Sequence, residues 1–371
     1  MTARPTHVRL RAYAVGLGDC LLLTVEYGSK LPDGRPERHV LIDCGSVAPS
    51  GPPLAAIATA VAEHCAGRLD VVVATHPHPE HVNGFTDPDA SEVLRSLKPS
   101  VVLRPWTDRD ASALPPARTA TPTLPPEWDD RTQYLRAGDT VALDEALPHV
   151  SVQVLGPPGP ERTPALVARG EPWFALDAAG ALPPQAEPTA DAWADAARVL
   201  ADPGGVGAAA WLLRALHDHP VGQQMEIADA YNDLAHNTSV VLLVTVGSRT
   251  LLLPGDAQGA SWAPVLADPA LARRLGAVQV YKVGGHGSAA ATPAELRRLW
   301  ARRGPTHPLV SVLSADAAAP DPTVLADLAQ RGPVCSTDTL PPGVWWLDVE
   351  APAHGRKPFT CSPGAARPGQ Q

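Results

Sequence analysis

The stretch Thr75-His76-Pro77-His78-Pro79-Glu80-His81 follows directly on the apolar run Val71-Val72-Val73-Ala74. Three histidines and a carboxylate therefore stand within six residues, at the mouth of a segment that reads as a buried strand. Extended backbone projects residues two apart to the same side, so His76 and His78 can converge on one ion. Pro77 and Pro79 fix φ and withdraw amide donors, which suits a rigid strand-to-helix corner. Glu80 and His81 are then free to address a second position beside the first. Imidazole with carboxylate suits Zn2+, Mn2+ or Fe2+ rather than Ca2+ or an all-thiolate site.

Outward from this cluster, β and α signals alternate. Residues 8–15 and 20–25 read as a hairpin around Gly16-Leu17-Gly18-Asp19, continued by a strand over 39–43. Residues 53–67 read as a helix closed by Gly67, residues 91–97 as a short helix, and 101–104 as a strand. A further β pair is expected at 137–141 and 150–155. Residues 107–128 are rich in proline, alanine and threonine and read as an excursion loop. Composition then shifts toward alanine and aspartate. Residues 161–235 read as a mainly helical insertion that borders the core and offers a surface to a protein partner. The β character returns in a valine- and leucine-rich run after Ser239, and a second run, Thr250-Leu251-Leu252-Leu253, leads into Pro254-Gly255-Asp256. A strand over 277–283 ends at Gly284-Gly285-His286-Gly287-Ser288. Thr292-Pro293-Ala294-Glu295 has a capping-box pattern and predicts a helix over 293–303. A strand at 309–313, a helix opened by Asp321-Pro322 and a last strand at 344–349 complete the pattern. Residues 351–371, rich in proline and glycine, are expected to be disordered.

Composition narrows the class. A chain of 371 residues with 44% hydrophobic content can bury a large core. The net charge of −9 speaks against a broad nucleic-acid footprint and leaves room only for a local basic groove. Five widely spaced cysteines without a C-x-x-C pair suit free thiols in a reducing compartment better than a disulfide framework. With no leader-like apolar region and no segment long enough to span a bilayer, a cytoplasmic protein without a membrane partner is expected.

Three more ligand candidates stand at strand ends. Asp256 follows a leucine run and can bridge two ions. His286 sits among glycines that permit close backbone approach, and His236 lies just before the strand at 239. His217-Asp218-His219 is a second H-x-H, but it falls in the insertion with no strand to rigidify it and reads as solvated. Lys282, one of four lysines, reads as a strand-end residue reaching out to solvent.

Taken in order, these segments resemble the metallo-β-lactamase fold superfamily, and within it the soluble domain of ComEC-type DNA-uptake proteins. The resemblance is carried by Val15-Gly16-Leu17-Gly18-Asp19-Cys20, Leu41-Ile42-Asp43-Cys44-Gly45, the histidine cluster, Asn237-Thr238-Ser239, Leu252-Leu253-Pro254-Gly255-Asp256 and Lys282-Val283-Gly284-Gly285-His286-Gly287-Ser288. It covers residues 8–160 and 237–350. It implies an α/β fold: an αββα sandwich over residues 1–350, interrupted by the helical insertion, with a dinuclear site at one edge of two facing sheets. On that pattern His76, His78 and His236 hold the first metal, and Glu80, His81 and His286 the second. Asp256 lies between them, and Asp43 supports the ligands. Zn2+ is the implied metal. Two departures stand out: Glu80 replaces the family's aspartate, and Gly285 replaces the first of two adjacent histidines.

The implied activity is hydrolysis of an anionic phosphodiester by a metal-activated water, with Glu80 or Asp256 accepting its proton. A lactone, thioester or amide substrate at the same site is the alternative, as is a binding protein whose site has drifted. The acidic charge and scarcity of lysine favour a small-molecule substrate over a long polyanion.

Overall fold

A strand that is apolar at every position is stable only where both of its faces are covered. The computed structural model describes residues 3–47, 51–109, 124–159, 235–314 and 320–367. In chain order its strands are β1 (Pro5–Tyr13), β2 (Cys20–Tyr27), β3 (Glu37–Cys44), β4 (Val71–Val73), β5 (Val101–Pro105), β6 (Thr132–Leu135) and β7 (Val150–Gly156). They continue with β8 (Val241–Val246), β9 (Arg249–Leu253), β10 (Val280–Lys282), β11 (Val310–Leu313), β12 (Val334–Ser336), β13 (Trp346–Pro352) and β14 (Thr360–Pro363). One sheet has the order β14-β13-β1-β2-β3-β4-β5-β6, the other β12-β11-β10-β9-β8-β7.

Alternation along each strand sorts the core. Ile42, Val71, Val73, Val240, Leu242, Leu251 and Leu253 meet in one cluster built from both sheets. Val72 and Leu41 point the opposite way, onto Ile57 and Val61 of α1 (Leu54–His64). A four-residue helix, α2 (Pro79–Val82), carries Glu80 and His81, and Leu94 of α3 (Pro88–Ser96) adds to the same outer cluster. Leu243 and Leu252 face Trp262 of α4 (Gly259–Ala267) and Leu275 of α5 (Pro269–Gly276). Leu296 of α6 (Ala294–Leu299) and Leu328 of α7 (Pro322–Ala329) complete that third cluster. Two sheets thus share an inner core, and helices cover their outer faces.

Strand direction decides where the chemistry collects. β3, β4, β5 and β6 run parallel, while β2 is antiparallel to β3. The ends of β3 and β4 and the start of β2 therefore share one edge. In the other sheet β9, β10, β11 and β12 are parallel and β8 is antiparallel to β9. The Val240 amide donates to the Thr75 carbonyl at 2.9 Å, which stitches the two edges together.

Several expectations change. Of residues 351–371, expected to be disordered, Ala351 and Pro352 continue β13 and Thr360–Pro363 form β14, which pairs with β13. Backbone pairing to an existing edge supplies the order that composition does not. Cys335 and Cys361, expected to be free thiols, form a disulfide. They lie on the edge strands of different sheets, a proximity invisible in their 26-residue separation. Cys20, Cys44 and Cys65 are free and buried. Of the β pair expected at 137–141 and 150–155 only β7 forms, and Thr140 contributes a single bridge to Gln153. The capping box at Thr292 does not form: α6 has no side-chain cap, because the Thr292 hydroxyl is buried against Tyr281 Oη at 3.0 Å. Of the insertion 161–235 only Ala235 is among the described residues, so His217 and His219 lie outside them, as does most of the loop expected at 107–128. Among the described residues no helix is long and apolar enough to cross a membrane.

One buried histidine outside the cluster has a measurable consequence. His39 on β3 is 3% exposed, with Nδ1 3.1 Å from Thr24 Oγ1. Burial, then Arg35, Arg38 and Arg9, push it down to about 4 from 6.5. The folded state therefore holds it neutral, and between those two values the unfolded chain binds more protons. Stability from this residue is complete above pH 6.5 and is lost as pH falls toward 4, by up to about 3 kcal/mol. Urea unfolding at about pH 7 and about pH 4.5 should show a smaller acid loss in His39→Gln than in the unmodified chain. Equal losses would refute the assignment.

Candidate metal centre

At the shared edge, β3 carries Asp43, whose φ of 56° places a non-glycine residue in the left-handed region. Its carboxylate organises the first ligand candidates. Asp43 Oδ1 accepts from the Thr75 amide at 2.8 Å, and Oδ2 accepts from the Thr75 hydroxyl at 2.7 Å. Oδ2 also accepts from His81 Nδ1 at 2.8 Å. Because the Thr75 proton goes to Asp43, its oxygen accepts from His76 Nδ1 at 3.0 Å. Both rings are thereby fixed with Nε2 turned inward, the carboxylate–histidine arrangement that orients ligands in metal sites.

His78 follows with Nδ1 3.2 Å from His76 Nε2. His236, just ahead of β8, stacks edge-on to His78 at a centroid distance of 4.6 Å, and its Nδ1 meets Gln258 Nε2 at 2.8 Å. Donor atoms of His76, His78 and His236 all lie within 4.8 Å of one another. Glu80, His81 and His286 satisfy the same condition, and so do His76, His81 and Asp256. Asp19, Asp43 and His81 meet it too, but Asp43 is engaged by Thr75 and Asp19 by Lys282. Asp256 Oδ2 stands between the groups, 3.3 Å from His81 Nε2, 3.7 Å from His286 Nε2 and 4.0 Å from His236 Nε2. The seven residues singled out in the sequence thus lie together.

His286 comes from a left-handed run, with φ of 51° at Gly285, 50° at His286 and 91° at Gly287. Its Nδ1 donates to the Ser314 carbonyl after β11 at 3.1 Å, leaving Nε2 turned toward Asp256. A side chain at Gly285 would press on Ala291 Cβ and Ser288 Oγ, both at 2.7 Å, so a histidine at this position would collide with its neighbours. The Gly285 amide serves the site instead, donating to Asp256 Oδ1 at 2.9 Å.

Among the buried atoms without a hydrogen-bond partner in the described residues are His81 Nε2, Asp256 Oδ2 and His286 Nε2, with Asp19 Oδ1 behind them. Buried polar atoms are rarely left so, and the two imidazole nitrogens both face Asp256 Oδ2. Burial, followed by the neighbouring imidazoles, holds His76 well below its ordinary range and His78 down to about 3. Both are neutral at physiological pH, the form that ligates. Burial opposes charge on His81, but Asp256 and Asp43 outweigh it and raise that ring well above its usual value. Burial would likewise raise Asp256, yet His81, His286 and Lys282 hold it well below the carboxylate range.

Two participants are not evident from the sequence. Lys282, expected at the surface, is 1% exposed and ion-paired to Asp19, itself 1% exposed. A signal was present, since Asp19 and Lys282 both sit in the motifs that flank the site, but an alkyl stem at a strand end reads equally well as snorkelling. Thr75, expected only as a strand end, proves to be the link from Asp43 to His76.

No protein-family model matches the chain, and no curated protein matches it. Among solved structures it is similar to that of Igni18, a novel metallo hydrolase from the hyperthermophilic archaeon Ignicoccus hospitalis KIN4/I. The two are 11% identical over 88% of this chain and 94% of that chain, with a TM-score of 0.39.

Proposed function

We propose that this chain is a metal-dependent hydrolase of the metallo-β-lactamase superfamily that acts on a phosphodiester. The observation that carries the reading is the set of buried ligand atoms without hydrogen-bond partners on His81, Asp256 and His286, in a pocket where two three-donor groups adjoin. These residues fit a pair of divalent cations. His76, His78 and His236 would hold one, Glu80, His81 and His286 the other, and Asp256 would face both. Imidazole and carboxylate donors favour Zn2+, with Mn2+ and Fe2+ as the nearest competitors. When bound, such a pair acidifies a water and neutralises charge on the phosphoryl oxygens of an in-line displacement. Asp43 holds the imidazole of His81 directly and that of His76 through Thr75. Glu80, 20% exposed at its side chain, would take the water's proton. Two facing sheets with helices outside are the layering this superfamily would require.

Purified protein supplies the test. Two equivalents of Zn2+ should bind, the second more weakly because Glu80 reaches it on a longer arm than aspartate would. Turnover of bis-p-nitrophenyl phosphate should rise as the second equivalent is added and vanish with chelation. Turnover confined to a lactone, thioester or amide panel would move the substrate class while keeping the metal centre. A chain that takes up no metal would end the proposal.

A further inference from the structure

Behind the ligand cluster lies a buried ion pair. Lys282 Nζ, at the end of β10, meets Asp19 Oδ2 ahead of β2 and stands 3.9 Å from Asp256 Oδ1. All three residues are 1% exposed. Removing an ammonium and a carboxylate from water is expensive, and such a pair often contributes no more stability than apolar residues of the same size. Its position is the informative part. The two oxygens of Asp256 have different surroundings. Oδ1 accepts from the Gly285 amide at 2.9 Å and faces Lys282, whereas Oδ2 has no hydrogen-bond partner and faces three histidine nitrogens. Lys282 cannot itself ligate, because an ammonium offers only donors.

We infer that Lys282, held by Asp19, is a positioning residue that ties up the inner oxygen of Asp256 and so reserves a single oxygen, Oδ2, to be shared by both ions. The inference rests on the metal-centre reading above. Without the ammonium, Oδ1 keeps only the Gly285 amide, and the carboxylate can turn to offer both oxygens to one ion. The second ion then loses its shared ligand, while the first keeps its three imidazoles. Asp19 makes the arrangement specific: it tethers Nζ from the opposite sheet, so the ammonium cannot swing forward into the ligand pocket.

The test compares Zn2+ and Co2+ titrations of the unmodified chain, the double variant Lys282→Met/Asp19→Asn and the single variant Asp19→Asn. The double variant removes both buried charges together, since Lys282→Met alone would leave Asp19 buried without its counter-ion. Asp19→Asn keeps the volume of aspartate and releases the ammonium to swing forward from Asp256 Oδ1 toward Oδ2, where it competes with the second ion. In each case the second equivalent should bind about 10- to 100-fold more weakly, the usual effect of losing a partner that orients a ligand, with the first changed less than about threefold. The Co2+ absorption of the doubly loaded protein should change as well. If one variant fails to fold by circular dichroism, the other decides. Unchanged binding at both positions in a folded variant would overturn the inference, and so would equal weakening at both, which is what a purely structural role predicts. Failure of the unmodified chain to bind any ion would instead remove the metal-centre reading, and this inference with it.

Discussion

Asp256→Asn is expected to abolish hydrolysis while leaving the fold in place. Asparagine keeps the volume of aspartate and can still accept from the Gly285 amide, so circular dichroism should be unchanged and the loss of stability modest. The negative charge that faces His81, His286 and Lys282 disappears. On the two-ion reading, one ion would lose a shared anionic ligand and the other would be left with three neutral imidazoles. Removing a group that stabilises charge in a transition state usually costs about 10² to 10³ in turnover. A shared ligand should lie at or beyond the upper end of that range. Bound metal, measured on the dialysed protein, should fall with the turnover. A folded Asp256→Asn protein with full metal content and turnover would remove Asp256 from the centre.

The second large effect is expected at Gly45, which carries no ligand atom. A Cβ there would lie 2.5 Å from the Glu80 carbonyl carbon, 2.6 Å from its oxygen and 2.6 Å from the His81 nitrogen. All three are backbone atoms, so no side chain can move aside. Gly18 meets the same segment, where a Cβ would lie 2.6 Å from the Glu80 oxygen. The turn that presents Glu80 and His81 is therefore seated on two glycines. Gly45→Val should push α2 outward and displace both ligand candidates that it carries. The chain should lose about 3 kcal/mol or more, as overpacking of a tight contact does. Gly304→Ala is the matching control, since nothing lies within 4 Å of a Cβ at that position. Its effect should stay within about 0.5 kcal/mol. Denaturant midpoint and second-ion affinity should fall together in Gly45→Val, and both should hold in the control. A Gly45→Val protein with unaltered metal affinity would show that the seat is not needed.

Much of this was legible in one dimension. Strand identity followed from continuous valine and leucine runs, because burial on both faces demands apolar residues at every position. The candidate ligand set followed from histidine and carboxylate at strand ends, because parallel strands deliver their ends to one edge. Boundaries shifted where a tertiary contact claimed a residue. Thr292 gave up its cap to pair with Tyr281, and β13 ran on to Pro352 because β1 offered partners as far as His7.

What the sequence determined alone was the local grammar: proline-fixed corners, apolar periodicity, and donor residues placed after strands. The tertiary structure decided which distant groups share a buried volume. Lys282 and Asp19 are 263 residues apart and belong to different sheets, yet they meet because β2 starts and β10 ends at the same edge. Cys335 and Cys361 pair for a similar reason, across two sheet edges. Gly285 reads as a lost ligand until its neighbours show that no side chain fits there. Each of these depends on burial and on the direction of a side chain in space. Spacing along a chain carries neither quantity, because the free energy of a charge or a Cβ is set by the atoms packed around it.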